Sequence, residues 1–197
     1  ATFTATVSFT DPGADTWTAS VDYGDNSSAT IVLGSNKTFN LSHTYTQAQA
    51  RAYPVTITIS DGDGGSGTPQ GKPLVVTGTL NSDTISLKVG SIIVELNGQP
   101  IAHLEDIDQV FVWGGAGDDL LTVDPAITVP VVVLGGDGND WLSGGDSTVL
   151  DGGSGNNVLQ DADGTVTVAQ GAFLADDLLH GGKAVIIGAT TGNDAIR

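Results

Sequence analysis

A glycine-rich nine-residue pattern in the second half of the chain constrains the fold more than any other feature of the sequence. It reads G-G-x-G-x-D-x-U-x, where U is a large apolar residue, and it is intact at 114–122 and 135–143. A third copy at 152–160 keeps the glycines but has Asn157 at the aspartate position. Glycine allows the positive φ angles of tight turns, and the apolar residue can point inward from a short strand. Each copy is therefore predicted to be half loop and half strand.

These copies resemble the calcium-binding nonapeptide repeats of the RTX (hemolysin-type) family, over roughly residues 110–160. The resemblance implies a short parallel β-roll or β-helix-like module, in which ions lie between loops on the same side, about 18 residues apart. Gly135 and Gly152 are 17 residues apart, so their loops should stack. Gly114 and Gly135 are 21 apart, so the segment 124–126 is expected to bulge out of the stack.

The resemblance implies bound Ca²⁺, because aspartate side chains and backbone carbonyls are the hard oxygen ligands that this ion takes. Asp146 falls halfway between two loops and belongs to the opposite side of the roll; Asp151, Asp161 and Asp163 are weaker candidates. The alternative is a degenerate repeat that keeps the fold without ions, which Asn157 favours locally. The candidate ligands are Gly115, Gly117, Asp118, Asp119, Gly136, Asp137, Gly138, Asp140, Asp146, Gly153 and Asn157.

The first third of the chain shows short strands of period two separated by turn residues, as in 1–10, 17–23 and 55–60, which predicts an antiparallel β-sandwich. Its segments W-T-A-S-V-D-Y-G-D, S-H-T-Y and Y-P-V-T-I-T-I-S-D resemble the PKD family, over roughly residues 1–65. That resemblance implies an Ig-like, non-catalytic sandwich that serves as a spacer, a carbohydrate-binding accessory or an interaction module.

The fold prediction is therefore all-β, with no helical periodicity in any window of useful length. An Ig-like antiparallel β-sandwich is predicted for 1–68 and an RTX-like β module for 74–197, joined by a linker at 69–73, near the end of the glycine-rich stretch 61–71. The segment 101–107 could be a short helical turn or a loop. Residues 75–85 align with 185–196, so the C-terminal segment is interpreted as the opening of a further repeat.

Composition excludes several classes of function. There are 23 acidic and 6 basic side chains, for a net charge of −17, and 17 of the acids lie after residue 70. Such a chain repels nucleic acids and anionic membranes. The absence of Cys excludes disulfides and thiol catalysis, and no apolar run is long enough to span a membrane. Ala1 is not an initiator residue, so the chain is interpreted as a piece of a longer secreted or cell-surface protein.

Evidence for catalysis is weak. His43 lies in the PKD-like H-T-Y and is interpreted as structural, His103 and His180 have no partner at metal spacing, and no motif singles out a pair of carboxylates. Trp17 and Tyr23 could line a sugar-binding face, although aromatic residues at such positions are more often core. Six aspartates of the sandwich could instead ring a loop cation: Asp11, Asp15, Asp22, Asp25, Asp61 and Asp63.

The predicted function is that of a non-catalytic structural or adhesive module of a bacterial extracellular protein, made rigid by calcium. Two further predictions concern its partners. The segment 185–197 could dock on a neighbouring chain and give head-to-tail fibres. The alternative function is a glycan-binding accessory module of a secreted enzyme or adhesin, with a polysaccharide as partner.

Overall fold

The computed structural model describes residues 2–10, 16–46, 51–61, 65–70, 72–89, 93–103, 107–160, 166–171 and 178–180. These residues form eighteen strands and no helix, so the all-β prediction is confirmed. The strands are β1 (Thr2–Thr10), β2 (Trp17–Asp22), β3 (Ser28–Gly34), β4 (Thr38–Thr44), β5 (Arg51–Pro54), β6 (Thr56–Asp61), β7 (Ser66–Gln70), β8 (Pro73–Thr77), β9 (Thr84–Lys88), β10 (Ile93–Leu96), β11 (Gln99–His103), β12 (Gln109–Ala116), β13 (Leu120–Val123), β14 (Val131–Asp137), β15 (Trp141–Ser143), β16 (Thr148–Gln160), β17 (Val166–Gly171) and β18 (Leu178–His180).

The N-terminal part is a sandwich-like antiparallel sheet with the strand order β3-β2-β6-β7-β1-β4. The strict alternation of β1 places Phe3, Val7 and Phe9 in the core and the intervening threonines outside, as a period-two strand requires. The core is rich in aromatic rings, with Phe9 and Trp17 at a centroid distance of 5.2 Å. Trp17 and Tyr23 are both buried, so neither ring lies on a surface that a sugar could reach.

The second part is a parallel solenoid of two sheets. One sheet contains β8, β12, β14 and β16, and the other contains β9, β13, β15 and the second half of β16. Each turn of the chain therefore contributes a strand to one sheet, passes through a loop, and contributes a strand to the other. Leu121, Leu142 and Leu159 occupy the same register position in successive turns and point into an aliphatic core between the sheets.

The turns differ in length because extra residues leave the solenoid on the side opposite the glycine loops. Between the first two turns the chain makes a hairpin of β10 and β11, closed by Asn97 and Gly98 with φ angles of 50° and 77°. The hairpin places 99–103 in a strand, which resolves part of the segment 101–107 that could not be assigned from sequence. Pro125 and Ala126 form an exposed turn at the expected bulge.

The two parts share strands and core. β5 follows the sandwich strand β4 in sequence but pairs antiparallel with β8 of the solenoid. Phe3 of the sandwich meets Phe111 of the solenoid edge to face, with ring centroids 5.8 Å apart. β7 pairs with both β6 and β1, and β8 begins at Pro73, so three of the five residues of the expected linker 69–73 lie in strands.

Antiparallel strands cover the edges of both parallel sheets. β5 and β10 pair with the strands of the first turn, and β17 and β18 pair with the two halves of β16 in the last turn. Asp161, Asp163 and the segment 185–197 lie outside the described residues. The described part of the chain contains no helix that is long and apolar enough to cross a membrane.

Candidate cation site in the stacked loops

Four six-residue loops lie on top of one another where the chain passes from one solenoid sheet to the other. They are Gly78–Asp83, Gly114–Asp119, Gly135–Asp140 and Gly152–Asn157. In the last three loops, the glycines at the second and fourth positions have positive φ angles, between 76° and 140°. A Cβ on Gly136 would lie 2.0 Å from the carbonyl oxygen of Gly115, and one on Gly153 would lie 2.2 Å from that of Gly136, so the last three loops can stack only because these two residues have no side chain.

The sixth residues of the four loops form an inner hydrogen-bonded ladder. The Asp83 N–H donates to Asp119 Oδ1 at 2.7 Å, the Asp119 N–H to Asp140 Oδ1 at 2.9 Å, and the Asp140 N–H to Asn157 Oδ1 at 2.8 Å. All four side chains are buried. Asp119, Asp140 and Asn157 thus each accept a hydrogen bond from a backbone N–H of the preceding turn. A buried backbone N–H needs such a partner.

The fifth residues form an outer ladder that runs in the opposite direction. The Asp118 N–H donates to Ser82 Oγ at 3.0 Å, the Asn139 N–H to Asp118 Oδ1 at 2.8 Å, and the Asn156 N–H to Asn139 Oδ1 at 2.9 Å. These side chains are exposed. Asp118 is therefore at the rim of the stack, where it binds the backbone of the next turn.

The two ends of the inner ladder are hydrogen-bonded by the protein itself. At the first loop, Asp83 Oδ2 accepts from Thr79 N–H at 2.6 Å and Thr79 Oγ1 at 2.8 Å, and Asp83 Oδ1 accepts from Asn97 Nδ2 at 2.7 Å. At the last loop, Asn157 Nδ2 donates to the Gly153 carbonyl at 3.3 Å.

The two middle rungs differ from the ends. Asp119 Oδ2 and Asp140 Oδ2 are buried and have no hydrogen-bond partner. Burial raises the pKa of Asp119 to about 7 and that of Asp140 to about 6; a backbone hydrogen bond to each carboxylate opposes the rise, and neighbouring carboxylates add to it. An unpaired buried carboxylate is costly, and the cost falls if the group binds either a proton or a cation.

The atoms around these two oxygens suit a hard cation. Asp119 Oδ2 and the Gly135 carbonyl oxygen lie 2.3 and 2.7 Å from the point where a Cβ on Gly114 would be. In the next turn, Asp140 Oδ2 and the Gly152 carbonyl oxygen lie 2.3 and 2.5 Å from the corresponding point on Gly135. Oxygen atoms therefore gather along the column of first glycines, and carboxylate and carbonyl oxygens are ligands of Ca²⁺.

Two other predicted ligands, Asp137 and Asp146, are exposed, whereas Asp119 and Asp140 are buried. Asp137 is exposed and accepts a hydrogen bond from Ser154 Oγ at 2.6 Å, and Asp146 is exposed on the opposite side of the solenoid. Within the described residues, no three Asp, Glu or His side chains converge in a group that could hold a metal ion. A cation at the middle rungs would therefore be bound by Asp119 or Asp140 with backbone carbonyls and water.

Sequence reasoning missed the first rung. The loop 78–83 reads G-T-L-N-S-D and has only one of the three glycines, so it does not match the nonapeptide pattern. Two signals could have revealed it: Asp83 precedes an alternating strand, and it lies 36 residues before Asp119, a multiple of the expected spacing of about 18. In the structure these 36 residues are a single turn, which the β10–β11 hairpin lengthens.

A Ser-His-Asp cluster in the sandwich does not have the geometry of a catalytic triad. His43 Nε2 lies 2.8 Å from Asp25 Oδ2 and 3.2 Å from Ser27 Oγ, so both partners contact the same ring nitrogen. In a triad the acid and the nucleophile bind different nitrogens of the imidazole. The His43 ring also stacks on Tyr23 with centroids 4.1 Å apart, which fits the structural role expected for it.

The described aspartates of the sandwich bind the backbone of their own turns. Asp22 Oδ1 accepts from the Gly24 N–H at 2.9 Å, Asp25 Oδ1 from the Ser27 N–H at 3.0 Å, and Asp61 Oδ1 from the Gly65 N–H. This is the usual behaviour of turn aspartates. Asp11, Asp15 and Asp63 lie outside the described residues.

Comparisons with known proteins add no relative. No protein-family model matches the chain, and no curated protein and no solved structure matches it.

Proposed function

We propose that this chain is a non-catalytic structural and adhesive module of a secreted or cell-surface bacterial protein, and that Ca²⁺ bound in the glycine loops makes its solenoid rigid. The observation that carries the proposal is the pair of buried oxygens without partners, Asp119 Oδ2 and Asp140 Oδ2, in the middle of a stack whose two ends are satisfied. The resemblance of the loops to RTX repeats, and of the sandwich to PKD modules, supplies the class of protein.

A cation here would act on stability rather than on chemistry. It would neutralise a buried carboxylate that the protein leaves unpaired, and it would bind only where the loops are stacked. A ligand that binds only the folded state stabilises it by mass action, by about 2.7 kcal/mol when its concentration is 100 times Kd. In calcium-rich surroundings the bound ion would then favour the folded state. Without it, repulsion among the acidic side chains, which give the chain a net charge of −17, opposes folding.

Thermal unfolding with and without Ca²⁺ tests the proposal, and Asp140→Asn is the informative variant. Asn157 already occupies the same position one turn later. Its Oδ1 accepts a hydrogen bond from the Asp140 N–H, and its Nδ2 donates one to the Gly153 carbonyl. An amide therefore fits the ladder. We expect Ca²⁺ to raise the melting temperature of the wild-type chain by several degrees, EDTA to reverse the shift, and Asp140→Asn to lose most of the response.

Asp146→Asn is the matched control, because it removes the same charge from the opposite side of the solenoid. It should keep the full Ca²⁺ response. A melting temperature that neither EDTA nor Ca²⁺ changes at pH 7.5 would contradict the proposal. So would an Asp146→Asn variant whose melting temperature responds to Ca²⁺ as weakly as that of Asp140→Asn.

The assembly of such modules into fibres is a second part of the proposal. In the described residues the edges of both parallel sheets are already covered by β5, β10, β17 and β18, so a docking strand from another chain would have to extend this cover or replace it. A chain shortened to residues 1–184 should stay monomeric in light scattering at concentrations where the full chain associates. Equal association of the two chains would contradict a role for 185–197.

A further inference from the structure

On the outer face of the second solenoid sheet, three successive turns present an apolar side chain at the same position, and the next outward positions along these strands are polar. Leu120, Trp141 and Val158 occupy the same register position in three successive turns. Their neighbours Leu121, Leu142 and Leu159 point inward, so the column points outward by the alternation of a strand. Trp141 is 47% exposed and Leu120 is 41% exposed, values that the core residues of neither part approach.

Hydrogen-bonding side chains flank the column on both sides. Two residues along each strand, Thr122, Ser143 and Gln160 form a column of hydroxyl and amide groups in the same register. Two residues in the other direction, Asp118, Asn139 and Asn156 lie exposed at the rim of the loop stack. The indole of Trp141 thus lies between a column of hydroxyl and amide groups and a column of one carboxylate and two amides.

We propose that this surface, centred on Trp141, binds a neutral polysaccharide. A pyranose ring has an apolar face of C–H groups, which stacks on an indole, and a rim of hydroxyl groups, which needs donors and acceptors beside it. The arrangement of an apolar column between two polar columns matches both requirements. It is independent of the calcium proposal, because none of these side chains lies in the inner ladder.

The charge and the size of this surface favour a neutral polysaccharide over an anionic polymer or a second copy of the chain. The exposed Asp118 near the column, in a chain with a net charge of −17, disfavours an anionic polymer at this surface. An apolar column of three side chains is also small beside the roughly 800 Å² per partner that a stable protein interface buries.

Binding to an array of neutral and acidic glycans, followed by calorimetry with oligosaccharides of the strongest neutral polymer, tests the proposal. We expect saturable binding that Trp141→Ala weakens at least tenfold and Trp141→Phe weakens less, with unchanged circular dichroism. Val32→Ala is the matched control: Val32 is 82% exposed on β3 of the sandwich, and its loss should leave the affinity unchanged. Each titration is run in Ca²⁺ and in EDTA.

Three results would overturn the proposal. The first is that no neutral glycan binds, or that Trp141→Ala binds it as tightly as the wild-type chain does. The second is binding of acidic polymers alone. The third is that the wild-type chain is a dimer in light scattering and the Trp141→Ala variant is a monomer. This result would show that a second copy of the chain binds the apolar column. The calcium proposal would survive all three, since it is read from the melting temperature alone.

Discussion

The sandwich and the solenoid both bury polar atoms without a hydrogen-bond partner, but in the sandwich the atom is the neutral indole nitrogen of Trp17 and in the solenoid the atoms are carboxylate oxygens. In the sandwich, the buried hydroxyl of Tyr45 donates to the Tyr23 carbonyl at 2.9 Å, and burial raises the pKa of that hydroxyl. In the solenoid, the buried carboxylates of Asp119 and Asp140 each bind one backbone donor and leave the other oxygen without a partner. The loop stack therefore needs a further partner at its middle rungs, a proton or a cation, and the Tyr45 hydroxyl does not.

Gly34 of the sandwich and the loop glycines of the solenoid also differ in what a side chain would meet at a glycine with positive φ. Gly34 of the sandwich has a φ angle of 59°, and a Cβ added there would have nothing within 4 Å. The glycines of the solenoid loops are in contact with the next turn, often with its carbonyl oxygens. A side chain would therefore strain only the backbone at Gly34, whereas in the loops it would also collide with a neighbouring turn.

The largest effect is expected from Gly136→Ala. Its φ angle is 115°, which alanine adopts only under strain, and the new Cβ would lie 2.0 Å from the Gly115 carbonyl oxygen, which cannot move without opening the stack. We expect a loss of roughly 3 kcal/mol or more in the free energy of unfolding, measured by urea denaturation. Gly34→Ala has a positive φ angle but no clash, and should cost roughly 1–2 kcal/mol. Equal losses in the two variants would show that the turns of the solenoid can separate.

The second effect is on the pH dependence of stability in the absence of divalent cations. The folded-state pKa values of Asp119 and Asp140, about 7 and about 6, lie above the ordinary value of 3.8, chiefly because of burial. A raised pKa contributes stability at low pH that is lost as the pH rises through the folded value. We therefore expect the free energy of unfolding to fall by about 1–3 kcal/mol between pH 5 and pH 8 in EDTA. The variant Asp119→Asn/Asp140→Asn should flatten this slope.

The sandwich provides the internal contrast. Burial opposes ionisation of Asp25, but hydrogen bonds from Ser27 and His43 outweigh it and lower the pKa of that carboxyl. A lowered pKa contributes stability above the unfolded value and loses it in acid. Asp25→Asn should therefore change how the free energy of unfolding depends on pH below about pH 4. It should leave the dependence between pH 5 and pH 8 unchanged. A slope that survives the double substitution in the solenoid would contradict the assignment to Asp119 and Asp140.

Local sequence pattern was enough for most strands because the period of burial is itself local. β1 and β6 alternate apolar and polar residues, and the structure buries the apolar ones. The non-local pairings were not predictable in this way. Arg51–Pro54 carries no sign that it joins the solenoid sheet rather than the sandwich, because its partner β8 is chosen by the packing of Tyr53 and Val75 in a shared core.

The candidate site was predictable in part for a similar reason. The spacing of the repeats placed Asp119, Asp140 and Asn157 in one column, and the structure joins them in the inner ladder. The spacing could not show which oxygens the protein would satisfy. That outcome depends on Thr79 and Asn97, which bind Asp83 at the first rung and have no counterpart in the nonapeptide pattern.

The smallest effect concerns the contact between the two parts. Phe3 and Phe111 meet edge to face across the boundary, at a centroid distance of 5.8 Å and an interplanar angle of 78°. A double-mutant cycle with Phe3→Leu and Phe111→Leu should give a coupling energy of about 0.5–1.5 kcal/mol, the range for aromatic pairs. Phe9 and Trp17, which meet inside the sandwich, are the matched pair for comparison. Coupling across the boundary as strong as that inside the sandwich would indicate that the two parts unfold together, so the Ca²⁺ proposed for the solenoid would also stabilise the sandwich. A coupling near zero, with two separate calorimetric transitions, would confine the effect of the ion to the solenoid.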